Sequence, residues 1–134
     1  MLNIVLDTNC LLLCLPPKSP YFIVWDSFLE GRIYLCVSNG ILDEYAEILE
    51  RRWGYGIALY TMNVIENSPF VRHIDPTFNY HFVENDPKDD KFVDCALFSN
   101  ADFIVTQDHH FNVLKEIDFP KIEVITIRQL TEML

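Results

Sequence analysis

The chain of 134 residues carries 10 basic and 20 acidic side chains, for a formal charge of −10, and is 50% hydrophobic and 13% aromatic. That length and apolar content predict one domain with a proper core, excluding disordered and fibrous classes, and no apolar run is long enough for a membrane helix. The acidic excess opposes simple phosphate binding, which wants a basic face, so the positions of the acids matter more than their number.

The opening Met1–Asp7 lacks the basic region and small-residue cleavage site of a secretion signal, so a cytosolic location is expected. Ile4-Val5-Leu6 is a short strand ending at Asp7. A helix is predicted from Pro20 to Arg32, with Ser19 as cap, Pro20 in the first position and Gly31 near the stop. Ile33–Val37 is the second strand, and Ser38 caps a helix carrying Ile41, Leu42, Tyr45, Ile48 and Leu49 at helical spacing. Gly54 and Gly56 break it, and another helix runs from Ile57 to Glu66.

Phe70–Ile74 is the third strand, followed by an irregular stretch to Asp86 and a helix starting at Pro87. Asp102–Thr106 is the fourth strand, Phe111–Glu116 a short helix and Ile122–Ile125 the fifth strand. Thr126 and Gln129 form a capping box for the last helix. Strands alternating with helices predict an α/β/α three-layer sandwich around a mostly parallel five-stranded sheet, whose near-continuous apolar strands are covered on both faces.

Cys10, Cys14, Cys36 and Cys95 form no Cys-x-x-Cys pair and stand in apolar stretches. Buried reduced thiols are expected, in preference to disulfides or a zinc site on Cys10, Cys14 and a histidine.

The acids are more informative. In an open parallel sheet, ligands bind beyond the carboxyl ends of the strands, near the reversal of strand order. Asp7 stands at such an end, and Asp108 lies just past the fourth strand, so both point to one edge. A turn residue for Asp7 and a helix cap for Asp108 are the competing readings. Asp90 and Asp94 share one helix face, where like charge at i,i+4 is unfavourable without compensation. The helix dipole accounts for Asp90 equally well, and for Asp86 and Asp89 as cap and solvated surface. Glu44, beside Asp43 on an amphipathic helix with Glu47 and Glu50, has the local character of a surface glutamate.

Asp7-Thr8-Asn9 at a strand end, Ser38 and then Glu44 on the following helix, and Asp90 eighteen residues ahead of Asp108 in Thr106-Gln107-Asp108 form an ordered set. This set resembles the PIN-domain family of metal-dependent ribonucleases over nearly the whole chain. The segment Asp86–Ala96 is similar to a subgroup assigned as toxins of toxin–antitoxin pairs. The resemblance implies an acidic quartet of Asp7, Glu44, Asp90 and Asp108, with Asp94 as a fifth member. It implies Asp7, Asp90, Asp94 and Asp108 as metal ligands, and Asn9 and Thr106 as hydrogen-bonding support. It further implies an RNA substrate, an antitoxin partner and a homodimer. His110 stands where many relatives carry a further acid, which puts a second metal position in doubt.

Five acids at one site would account for half of the net charge of −10. Four clustered carboxylates, fully ionised without a cation, would cost on the order of 10 kcal/mol. A domain stable by about 5–15 kcal/mol cannot carry that, so protonation, separation or a cation must relieve it. Oxygen-only ligands select hard ions, Mg2+ or Mn2+. The expected chemistry is metal-assisted phosphodiester hydrolysis without a covalent enzyme intermediate. Lys88, Lys91, Arg51 and Arg52 are candidates for guiding RNA, and His109 and His110 for touching it, with solvated charge and packing as the plain alternatives.

Two rival readings are a receiver- or phosphatase-like phosphoryl-transfer pocket and a PIN-like module used only for protein binding. A phosphatase wants a second Asp where Asn9 stands, and a receiver wants adjacent acids at the first strand end. Four acidic quartet positions favour an enzyme over a binding module.

Overall fold

Five parallel strands build the sheet: β1 (Leu2–Leu6), β2 (Ile33–Val37), β3 (Val71–His73), β4 (Phe103–Val105) and β5 (Val124–Ile125), in the order β3-β2-β1-β4-β5. Leu2 lies opposite Ile33, Val5 opposite Ile104, Leu35 opposite Val71 and Val105 opposite Ile125. The structure is a computed structural model and describes residues 1–75, 90–108, 111 and 122–134, Asp90 by its backbone. The chain steps outward from β1 to β3, then returns to the other side of β1 as β4. The strand order therefore reverses between β1 and β4, where an open sheet leaves a crevice at its carboxyl edge.

Among the described residues, six helices accompany the strands: α1 (Thr8–Cys14), α2 (Phe22–Leu29), α3 (Asn39–Trp53), α4 (Tyr55–Asn67), α5 (Asp90–Ser99) and α6 (Ile127–Met133). Side chains alternate across the pleat. Ile4, Leu6, Ile33 and Leu35 meet Cys14 of α1 and Val24, Trp25 and Phe28 of α2. On the other face, Cys36 lies within electrostatic reach of Cys95 on α5, which packs on β1, β2 and β4. Helices thus cover both faces, and the α/β/α sandwich is as expected. Among the described residues, Tyr45, Phe92 and Phe111 are the largest fully buried side chains. Removing each such ring from water stabilises the fold by roughly 1.5–3 kcal/mol. Among the described residues, no helix is long and apolar enough to cross a membrane.

Several boundaries differ from expectation. The sequence predicts nothing between Asp7 and Pro20, yet α1 occupies Thr8–Cys14 with Cys10, Leu11, Leu12 and Cys14 buried. Seven residues apolar on nearly every side carry no helical period, and contact with α2 and α3 decides their state. Helix α2 begins at Phe22; Ser19 instead accepts the Tyr21 N–H at 3.1 Å in the turn before it. Gly54 ends α3, but Gly56 lies inside α4. β3 is an edge strand with Arg72 and His73 exposed, so only the inner strands are covered on both faces.

Both predicted caps form. Ser38 Oγ accepts the Ile41 N–H at 3.3 Å, and the Thr126–Gln129 box has both arms. Pro87 and residues 112–116 lie outside the described residues. All four cysteines are buried and free. Burial pushes the thiols up, to about 12 for Cys14 and Cys95, so they stay neutral hydrophobes.

Candidate functional site

The strand-to-helix turn at Asp7 is set by backbone pairing. Its N–H donates to the Val105 carbonyl at 3.0 Å, extending the β1–β4 ladder, and its carbonyl accepts the Leu11 N–H at 3.0 Å as α1 begins. The side chain therefore leaves the sheet at the strand-order reversal. Thr106 follows β4 and completes the link. Its hydroxyl donates to Asp7 Oδ2 at 2.7 Å and accepts the Asp108 N–H at 3.0 Å. One buried hydroxyl thus orients the carboxylate of Asp7 and the turn that carries Asp108.

Glu44 arrives from α3. Tyr45, fully buried, donates its hydroxyl to the carbonyl of Leu6, the residue before Asp7. That bond fastens α3 to the carboxyl edge and sets the neighbouring Glu44 beside α1. There the Thr8 hydroxyl donates to Glu44 Oε2. Lys91 Nζ, on the first turn of α5, lies 2.7 Å from Glu44 Oε1 in an ion pair whose side chains are 23% and 21% exposed.

The charges interact. Asp7 is 7% exposed, and burial raises its carboxyl above the usual carboxylate range. The Thr106 hydroxyl and the Thr8 N–H oppose that rise, while the negative charges of Glu44 and Asp108 add to it. Asp7, Glu44 and Asp108, distant in sequence, therefore share one electrostatic environment at one sheet edge.

Asp90 opens α5 next to Lys91, but its side chain lies outside the described residues, as do Lys88, His109 and His110. Asp94 is buried at 2% exposure beside Cys95, whose thiol its charge raises. Asn9 is exposed on α1, and it is Thr8 that makes the hydrogen bond from this turn. Arg51 pairs with Glu47 at 2.6 Å on exposed α3, and Arg52 is exposed near the end of the same helix. Ser38, part of the recognised pattern, caps α3 and so fixes the start of the helix that delivers Glu44.

Sequence reasoning missed Thr8 and Tyr45 and gave Lys91 a different role. Thr8 lies within the Asp-Thr-Asn run and was open to notice. Tyr45 belongs to the apolar stripe of its helix, and nothing local signals where its hydroxyl goes.

Among the described residues, no three Asp, Glu, His or Cys side chains are spaced to hold a metal ion together. The donor chemistry nonetheless suits a hard divalent cation: Asp7 and Asp108 offer oxygen only, and burial disfavours the ionised carboxyl of Asp7, the form that a bound cation favours.

The sequence profile of the PIN domain family matches residues 3–110. No curated protein sequence matches the chain. A chain of VapBC2 from Rickettsia felis, solved bound to a DNA fragment from its promoter, superposes with a TM-score of 0.64 at 14% identity, covering 93% of this chain and 98% of that one. VapBC-1 from nontypeable Haemophilus influenzae gives 0.64 at 14% identity over 95% and 99%. The PIN domain endonuclease Utp24 gives 0.53 at 19% identity over 92% and 84%. At these identities the likeness establishes a common fold.

Proposed function

The chain belongs to the PIN domain family, and from that premise we propose that it is an Mg2+- or Mn2+-dependent endoribonuclease, acting as a single domain and as the toxin of a cytosolic toxin–antitoxin pair. The observation that carries the proposal is the convergence of Asp7, Glu44 and Asp108 at the reversal of strand order, each acid delivered by a different element.

Asp7 and Asp108 would hold the ion, with Asp90 and Asp94 of α5 completing the set that the family pattern assigns. The ion, when bound, supplies a Lewis acid and lowers the pKa of water at the phosphodiester. Thr106 fixes the rotamer of Asp7, so that its second oxygen stays directed away from the hydroxyl. Glu44, held by Thr8 and Lys91, would orient the attacking water rather than ligate the ion. Hydrolysis then proceeds without a covalent enzyme intermediate, since no Ser/His or Cys/His pair stands at this edge among the described residues and the nearby Cys10 thiol is held up by burial.

The substrate proposed is single-stranded or looped RNA. The partner proposed is an antitoxin protein, an idea supported by the VapBC complexes that share this fold. A homodimer belongs to the same proposal.

The test is a ribonuclease assay on purified protein with Mn2+ or Mg2+, beside Asp7→Asn. Wild type should cleave and the variant should lose at least about a hundredfold in rate, as expected when a ligand or preorganised charge is removed. Equal RNA degradation by the two proteins, each folded by circular dichroism, removes Asp7 from the chemistry.

A further inference from the structure

The acidic edge already contains one cation. We propose that Lys91 is a built-in counter-ion whose ammonium occupies the charge position a second divalent ion would need, so that the centre takes a single metal ion. The inference deepens the metal-dependent reading above and rests on it.

Lys91 Nζ lies 2.7 Å from Glu44 Oε1, and the other oxygen, Oε2, accepts the Thr8 hydroxyl. Both oxygens of Glu44 are therefore engaged, and the charge that would attract a further ion is answered by the ammonium. The pair is only 23% and 21% exposed, so water and salt screen it less than a surface pair.

Lys91 is also held in place. Its stem runs close to the backbone of α3, where a Cβ built on Gly40 would stand 3.4 Å from Lys91 Cδ. Its ammonium lies 5.2 Å from the centre of the Phe92 ring. A divalent ion entering beside Glu44 would meet this fixed like charge at short range. Glu44 accepts the hydroxyl of Thr8, the residue that follows Asp7 in the chain, so the ammonium paired with Glu44 belongs to the same edge as the proposed metal position. There it also offers a phosphodiester oxygen a fixed positive contact, as a lysine does for phosphate groups.

Mn2+ titration calorimetry on the full chain tests this, using wild type, Lys91→Met, Lys91→Arg and Glu44→Gln, each checked by circular dichroism. Wild type should bind one ion per chain. Lys91→Met should bind a second ion, or the first at least about tenfold more tightly, because a like charge has left the pocket. Lys91→Arg should behave as wild type. Glu44→Gln should bind Mn2+ more weakly, because the ammonium is then no longer neutralised. Lys91→Gln replaces the Met variant if that chain does not fold.

Two ions on wild type, or identical stoichiometry and affinity for wild type and Lys91→Met, overturns the proposal. RNA cleavage assayed in parallel separates the two readings. Cleavage with no effect of Lys91 on metal binding leaves the nuclease standing without this inference. The expected metal titrations with intact RNA leave Lys91 its role and remove the ribonuclease.

Discussion

Asp7 shows how one side chain is poised between two states. Burial raises its carboxyl, Glu44 and Asp108 raise it further, and Thr106 and the Thr8 N–H pull it back. A carboxyl whose folded pKa lies above its unfolded value binds its proton more tightly in the native state. Its effect is absent below the unfolded carboxylate range, and stability falls as pH rises through the raised folded value. Asp7→Asn abolishes that penalty. In EDTA the Asn variant should therefore melt above wild type at about pH 7, with the gap closing toward about pH 4, where the unfolded carboxyl protonates. Thermal melts across this range decide the matter. Parallel pH profiles for the two proteins would show that Asp7 carries no such penalty. A bound cation should reverse the sign of the effect, since it favours the ionised form.

At the scale of elements, the placement of Glu44 depends on where α3 starts, what fastens its middle and where it stops. Ser38 starts it, Tyr45 fastens it to Leu6, and Gly54 stops it with φ 92 and ψ 170. That backbone region is essentially reserved for glycine, because a Cβ meets the local peptide oxygens. A Cβ added at Gly54 would meet no other atom within 4 Å, so the cost of Gly54→Ala comes from the backbone alone. Urea unfolding should show a loss of about 1–3 kcal/mol, with the slope unchanged. A variant as stable as wild type would mean that the α3–α4 junction accepts another conformation. Gly31 differs: besides φ 78, a Cβ there would lie 2.5 Å from the Phe70 ring, so sterics and backbone act together.

For the whole molecule, the sheet order brings together acids that the chain keeps apart. Residues 7 and 108 become neighbours because β1 and β4 pair in parallel, with Leu6 opposite Val105. Mn2+ at about a hundred times its Kd should stabilise the native state by roughly 2.7 kcal/mol, since the unfolded chain cannot assemble these ligands. The melting temperature should climb accordingly in a Mn2+ titration of wild type and much less in Asp7→Asn. A flat titration for wild type would leave the acidic edge without its cation. The net charge of −10 adds a general term, because any bound cation also relieves self-repulsion. The contrast with Asp7→Asn isolates the specific part.

The sequence by itself determined the layer architecture. Buried strands are written as apolar runs, helices as 3.6-residue stripes, and caps such as Ser38 and Thr126 act within a few residues of themselves. It also nominated Asp7 and Asp108, because a strand end is a local feature and parallel sheets bind ligands there. Tertiary structure alone decided that α1 is a helix, that Gly56 continues α4, and that the Tyr45 hydroxyl reaches Leu6 across the core. It alone also paired Lys91 with Glu44. These outcomes depend on contacts between segments far apart in the chain, and hydrogen-bond partners and neighbouring charges are not encoded in the periodicity of any one segment.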